Sequence, residues 1–417
     1  MLAREIKPNI FWVGGIDWNL RNFHGYSTER GSTYNAYLII DEKVTLVDTV
    51  KHHLVDEMLE RIRSIIDPSK IDYIVSNHVE MDHSGGLPRM MELAPNAVIV
   101  TSVNGESGLK NHFATLAALA EKNFGKNFKV VKQGDSLSLG KYTLNFAPIP
   151  MVHWPDSMVT YVPEAKLLLS NDAFGQHLAS EHLFDYQVGW AVVREEAAKY
   201  YANIVLPYDK NVQAALTAIK NLRWEIDMIA PSHGVILTEH ISDLLELYQR
   251  WSTHSYEHKH AHIHPTHESR PQAVIIYDTM WGSTEKMAKS IQSALETVGL
   301  PVSTYSLTHS HISNIITAVM EARYVFIGSP TLNNQMLPTM AAMISYMLGL
   351  KPRNKIGFVF GSYGWGGQAT KLIEEALRPL DWNFPTKAYA VKYIPTTDAL
   401  VELQQLVTDS VLKLDSK

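Results

Sequence analysis

Five short apolar runs recur through the C-terminal third of the chain, at residues 273–277, 302–306, 324–328, 355–360 and 388–391. Amphipathic stretches of helical length alternate with them, at 284–298, 311–322, 338–348, 369–380 and 397–414. Strict alternation of strand and helix patterns with short loops predicts a doubly wound parallel sheet covered by helices on both faces. The first two-thirds read differently. Residues 10–14, 37–40 and 43–48 carry strand patterns joined by turns such as Asp41-Glu42, and a helix is predicted over 54–66. Strands follow at 71–76, 97–101, 143–149, 158–162 and 166–170. A short helix is predicted after Gly86, and longer ones over 195–203, 211–222 and 239–251. Strands then helices, twice over, predict a layered α/β sandwich. The pattern divides the chain into 1–251, a join at 252–270, and 271–417.

Length agrees, since 417 residues are too many for one ordinary domain. A content of 46% hydrophobic and 19% charged residues rules out disorder over most of the chain. The net charge of −6 is too mild to argue for nucleic acid or an anionic membrane. No apolar run reaches the roughly 18 residues of a membrane span. Charges at Arg4, Glu5 and Lys7 stand where a signal peptide needs an apolar core, so a cytoplasmic protein is expected. Cysteine is absent, which excludes disulfides, Cys-ligated iron–sulfur clusters, zinc ribbons, a built-in rubredoxin and a cysteine nucleophile. Histidine, by contrast, occurs 19 times, a first hint of metal chemistry. Six of these (His254, His258, His260, His262, His264 and His267) fall in the join, which reads as a solvated linker because no carboxylates converge there.

The strongest chemical signal follows the strand pattern at 71–76. There His78, Glu80, Asp82 and His83 fall within six residues, ahead of Gly85 and Gly86, whose freedom permits a tight turn back into a helix. Open α/β sheets place their sites at the carboxyl ends of strands. The spacing lets His78 and Glu80 point one way and Asp82 and His83 another, enough to feed two adjacent metals. His153, Asp172 and His233 each follow another strand pattern, in loops holding Gly, Pro or Ser. Singly, such a His is more often structural and such an Asp an N-cap. Together with the first loop they point to a binuclear site. Four imidazoles and three carboxylates without thiolates suit iron.

Three loops at strand ends in the C-terminal third have a different composition. The first holds Thr279, Met280, Trp281, Ser283 and Thr284, hydroxyls at a helix start where backbone N–H groups can cradle a phosphate. Capping of the helix by Ser283 or Thr284 is the simpler role, and it is compatible with phosphate. The second holds Pro330, Thr331, Leu332, Asn333 and Asn334; the third Ser362, Tyr363, Gly364, Trp365, Gly366 and Gly367. Glycines in the third let backbone approach an isoalloxazine edge, with Trp365 or Tyr363 near the ring. No Gly-x-x-x-x-Gly-Lys is present, against a nucleoside triphosphate loop. The set resembles FMN-binding flavodoxins.

The His-x-Glu-x-Asp-His run with His153, Asp172 and His233 resembles the metallo-β-lactamase-type core of the flavodiiron proteins, and the C-terminal pattern matches their flavodoxin-like part. The stretches Asn22-Phe23-His24-Gly25, His153-Trp154-Pro155-Asp156-Ser157-Met158 and Asn171-Asp172-Ala173-Phe174-Gly175-Gln176-His177 match as well. The resemblance implies an αββα sandwich followed by a flavodoxin-like domain. It implies two irons, one held by His78, Glu80 and His153, the other by Asp82, His83 and His233, with Asp172 bridging. It implies FMN, reduction of O2 to water or NO to N2O or both, and a head-to-tail homodimer, with a dimer of dimers as the larger alternative. Electrons would come from outside, from rubredoxin or a reduced deazaflavin. His24 and His177 stand as candidate supports or proton donors beside the irons. Alternatives are a binuclear zinc hydrolase fused to a flavodoxin-like carrier, disfavoured by Glu80 where hydrolases of this superfamily have His, and a flavin module whose first domain only docks partners.

Overall fold

In the computed structural model, residues 1–122, 127–254 and 273–415 are described. The chain separates into two compact units, Met1–Tyr201 with Tyr208–Ser252, and Ala202–Pro207 with Thr253–Lys417. From residue 255 on, the His-rich join lies outside the described residues.

The first unit holds two sheets. One orders its strands Arg4–Lys7, Ile10–Trp12, Tyr37–Ile39, Thr45–Val47, Tyr73–Val75, Val98–Thr101 and Phe128–Val130. Its early neighbours are antiparallel; from Thr45–Val47 onward they are parallel. The other sheet runs Ser136–Ser138, Thr143–Pro148, Met158–Val162, Leu167–Asn171 and Met228–Pro231. Alternation along each strand builds the layers. Val47 and Val75 share a core with Phe146, Met158 and Leu169 of the second sheet, whereas their neighbours Leu46 and Ile74 pack with Met58, Ile62 and Met90 of the covering helices. That is the αββα sandwich.

The second unit is a single parallel sheet in the order Val302–Ser306, Ala273–Tyr277, Tyr324–Gly328, Ile356–Tyr363, Tyr389–Lys392. This is the flavodoxin order, in which the second strand lies outside the first. Ala273, Ile275, Phe326 and Phe358 face helices Ser283–Thr297 and Thr397–Asp415 through Ile291, Leu295, Leu403 and Val407. Alternate residues Val274, Ile276, Val325 and Ile327 are buried on the opposite face.

Some local expectations change. Helix Trp190–Tyr200 starts earlier than its pattern suggested, because Gly189 turns the chain at φ +97°. Helix Val103–His112 escaped the pattern because Asn104, Gly105 and Gly108 are poor helix formers; Ser102 secures it by accepting from the Gly105 N–H at 3.0 Å. Gly282, at φ +82°, takes the cap position of helix Ser283–Thr297, so neither Ser283 nor Thr284 caps it. No helix begins between Asp172 and Asp185, so Asp172 is not an N-cap. Gly85 and Gly86 keep helical backbone angles. Close packing is what Gly85 supplies: a Cβ there would lie 2.4 Å from the Met81 carbonyl.

Candidate functional site

Every predicted ligand sits where a strand of the first unit ends. Strand Tyr73–Val75 delivers Asn77 and His78, and one helical turn, Met81–Ser84, then carries Asp82 and His83. That turn differs from the expected open loop; it puts Asp82 and His83 on one short rigid element. Strand Leu167–Asn171 delivers Asp172, and Met228–Pro231 delivers His233. His153 sits between the antiparallel strands Thr143–Pro148 and Met158–Val162.

The seven side chains converge in two sets. His153 Nε2 lies 3.3 Å from Glu80 Oε2 and 3.3 Å from Asp172 Oδ2, and His78 Nε2 lies 3.4 Å from Glu80 Oε2. On the other side His83 Nε2 is 3.0 Å from Asp172 Oδ1, and His233 Nε2 is 3.2 Å from Asp82 Oδ2. The two carboxylate oxygens of Asp172 therefore face different sets. His78 Nε2, His83 Nε2, both Asp82 oxygens and Asp172 Oδ2 are buried and make no well-aligned hydrogen bond among the described residues. Buried lone pairs aimed at common points fit metal ions.

Charge tells the same story. Burial alone would lower the His78 imidazole, but Asp156 on Nδ1, with Glu80 and Asp172 beside Nε2, raises it to about 10. His153 rises to about 10 through Asp172 and Glu80, and His83 to about 9 through Asp172 and Asp82, again against burial. Burial would raise Glu80 and Asp172, yet the surrounding imidazoles hold both well below the usual carboxylate range. The carboxylates demand positive charge, and divalent ions would replace the protons on the rings.

Outer contacts fix ring orientation. Asp156 Oδ2 accepts from His78 Nδ1 at 2.9 Å and from the Val79 N–H at 2.8 Å. His233 Nδ1 donates to the Thr33 carbonyl at 2.7 Å, and Ser232 donates to Asp172 Oδ1 at 3.0 Å. Both rings are thereby left with Nε2 toward the cluster. Buried Asp48 joins two ligand-bearing segments: it accepts from the Asn77 N–H at 2.8 Å, Asn77 Nδ2 at 2.9 Å and Asn171 Nδ2 at 3.2 Å. Asp48, Asn171 and Phe174 all have positive φ, local strain gathered beside the centre.

In the second unit the three loops follow neighbouring strands. Helix Ser283–Thr297 has no side-chain cap, which leaves its first N–H groups open for a phosphate. Thr284 Oγ1 meets Ser362 Oγ at 3.0 Å, and the Thr331 N–H donates to the Ser362 carbonyl at 3.0 Å. These bonds tie first loop to third and third to second. Gly361 is required by proximity: a Cβ would stand 2.3 Å from the Ser329 carbonyl. Trp281 and Trp365 are both 92% exposed, their ring faces open.

Residues 33–234 match the family described as ODP family beta lactamase, and residues 275–403 match Flavodoxin. The nitric oxide reductase of Moorella thermoacetica is 44% identical over 89% of this chain and 89% of its own length. The rubredoxin-oxygen oxidoreductase of Megalodesulfovibrio gigas is 38% identical over 100% of this chain and 99% of its own. The crystal structure of the flavodiiron protein from Giardia intestinalis superposes with a TM-score of 0.91 at 30% identity, covering 100% and 98% of the two chains. The chain belongs to the flavodiiron protein family.

Within this flavodiiron fold, the two candidate supporting histidines differ. His24 is 76% exposed at its side chain, with Nε2 3.6 Å from Glu80 Oε1. His177 is buried, bonds Ser32 Oγ through Nδ1 at 2.8 Å, and packs with its ring centroid 4.7 Å from that of His233, the planes tilted by 58°. Asp48, Asp156 and Ser232 were missed as supports. Their neighbourhood to ligand residues was a signal for Asp156 and Ser232; Asp48 gave none, because its partners Asn77 and Asn171 are remote in sequence.

Proposed function

We propose that this chain is an oxygen or nitric oxide reductase in which FMN feeds electrons to a pair of irons. One iron would be held by His78, Glu80 and His153, the other by Asp82, His83 and His233, with Asp172 shared. The observation that carries this reading is the split of Asp172, one oxygen toward each set. Its support in kind is the family, whose members include a nitric oxide reductase and a rubredoxin-oxygen oxidoreductase.

Iron supplies the redox change that reduction of either gas needs, which zinc lacks. The chain's own part is positional. Asp156 and the Thr33 carbonyl fix the tautomers of His78 and His233. Glu80 adds a negative charge where the hydrolase branch has imidazole, and that charge favours the ferric state. In the second unit, the uncapped start of helix Ser283–Thr297 would hold the FMN phosphate, and Trp281, Tyr363 and Trp365 would supply aromatic surface for its ring. The domains act as 1–251 and 271–417, joined by 252–270.

Electrons come from an external donor of rubredoxin type, because the chain has no cysteine to build a rubredoxin of its own. A reduced deazaflavin is the other donor class. The working unit is a head-to-tail dimer in the cytoplasm, with one subunit's FMN serving its partner's irons. No helix among the described residues is long and apolar enough to cross a membrane. The test is purification with metal and flavin analysis, then anaerobic reduction by rubredoxin and addition of each gas. Two irons and one FMN per chain with rapid gas consumption are expected. Zinc in place of iron, or no consumption of either gas, would overturn the reading.

A further inference from the structure

The three flavin loops follow three strands of the second unit. A fourth loop follows strand Tyr389–Lys392, at the edge of the sheet beside the third. We propose that Tyr393, in this fourth loop, belongs to the flavin site and gives the isoalloxazine ring apolar surface next to the third loop. The proposal rests on the FMN reading above.

Strand Tyr389–Lys392 runs parallel to Ile356–Tyr363, with Lys392 opposite Tyr363. Gly364 and Tyr393 therefore leave the sheet side by side. The Tyr393 N–H donates to the Tyr363 carbonyl at 2.6 Å, so the pairing continues one residue past the strand. The Tyr393 ring then leans over the third loop: a Cβ on Gly364 would lie 3.6 Å from Tyr393 Cε1. The Tyr363 ring packs in the same way at Gly367, 3.2 Å from a Cβ there. Two tyrosine rings thus rest against the two ends of one glycine loop, and the exposed Trp365 stands between those glycines.

The backbone at Tyr393 is left-handed, at φ +62°. A bulky side chain is disfavoured there, whereas glycine or asparagine takes such angles at little cost. The second flavin loop uses Asn333 and Asn334 for the same purpose, at φ +51° and +62°. Burial does not offset the strain at Tyr393, because the residue is 62% exposed and its neighbour Ile394 is 66% exposed. A strained aromatic left largely bare at a binding site is kept for what it touches when the site is filled. Position argues for the flavin ring as that occupant. Tyr393 rests on the loop whose glycines admit backbone to the isoalloxazine edge, and a flat aromatic ring is the shape that tyrosine packs against best.

The test titrates flavin-free, full-length wild type, Tyr393→Gly, Tyr393→Asn and Tyr393→Phe with FMN and with riboflavin, which has the same ring and no phosphate. Flavin fluorescence gives the dissociation constants, and melting of the flavin-free proteins gives their stability. The Gly and Asn variants should bind both flavins more weakly by the same factor, roughly three- to tenfold for one lost aromatic pair. Tyr393→Phe should bind like wild type, because the ring and not the hydroxyl makes the contact. Flavin-free Tyr393→Gly should melt no lower than wild type, since glycine relieves the left-handed strain. A purely structural role predicts the reverse, lower melting with unchanged affinities, and that result overturns the proposal. Unchanged affinities with loss of self-association would assign the ring to a second copy and overturn it as well. Loss for FMN alone, or a wild type that binds FMN but not riboflavin, would put the affinity in the phosphate and do the same. If the Gly variant does not fold, the Asn variant, which also tolerates the left-handed backbone, decides by the same comparison. A wild type that binds neither flavin overturns the FMN reading itself, and this proposal with it.

Discussion

The candidate metal cluster and the candidate flavin loops are built by opposite means. In the first unit, seven charged or titratable side chains pack against one another, five of them buried and Glu80 and His153 partly so, and they stay balanced only as a set. In the second, the site is made of a bare helix start, hydroxyls and closely approaching backbone, and its aromatic rings stand in solvent. The same contrast holds for buried charge. The imidazoles around Asp172 are pushed up by carboxylates. Lys355 of the second unit, bonded to the Met320 and Ala322 carbonyls at 2.8 and 2.7 Å, is pulled down to about 7 by burial, which Glu321 only partly offsets. A side-chain site is therefore sensitive to identity, and a backbone site to space.

The largest effect should follow loss of the shared anion. Asp172→Ala is expected to strip most iron from both positions while leaving FMN bound, because each cation loses an anionic ligand. Iron and flavin counts on the purified variant check this; two irons retained would break the contrast. The reciprocal change is Gly361→Val. Its added carbons meet the Ser329 carbonyl and Thr370. Overpacking of that kind destabilises by roughly 1–3 kcal/mol, so FMN affinity should fall, by flavin fluorescence titration, with iron content unchanged.

Subtler is Glu80→His. The variant should fold, since imidazole can still reach the ligand position. The metal content should shift from iron toward zinc, which lies higher in the usual affinity order and suits imidazole. Gas reduction should drop with it. Metal analysis of both proteins grown in one medium decides; two irons and wild-type turnover would remove the role given to Glu80.

The remaining effect is one of pH and concerns Lys355. Its folded proton affinity is lowered, so between about 7 and the ordinary 10.5 the unfolded chain binds a proton that the folded chain does not. Stability gained from this group therefore rises with pH across that window, by up to about 1.4 kcal/mol per unit. Lys355→Met should remove that slope in denaturant titrations between pH 7 and 10. An unchanged slope would mean that burial of Lys355 does not depress it.

These two kinds of site also explain what was readable in the chain. His78, Glu80, Asp82, His83, His153, Asp172 and His233 stood out because ligand chemistry needs particular side chains, and each follows a strand pattern. Strands 273–277 and 324–328 were readable end to end, because residues buried on both faces form unbroken apolar runs, whereas 302–306, Val-Ser-Thr-Tyr-Ser, is a half-buried edge strand read mainly from the alternation around it. The cap at Gly282 was not readable, since the neighbouring Ser283 and Thr284 offered better capping chemistry and only backbone angle excluded them. Asp48 was hidden because its role exists only after three strands come together. Helix Val103–His112 was hidden by its own glycines.

The central claim is that one carboxylate serves two irons. Anomalous diffraction from crystals of the purified protein, recorded on either side of the iron and zinc absorption edges, tests it most directly. The account predicts two iron peaks, roughly 3.5–4 Å apart as in two-metal sites, one beside each oxygen of Asp172. A single peak, zinc at both positions, or a pair with Asp172 bound to one metal alone would contradict it.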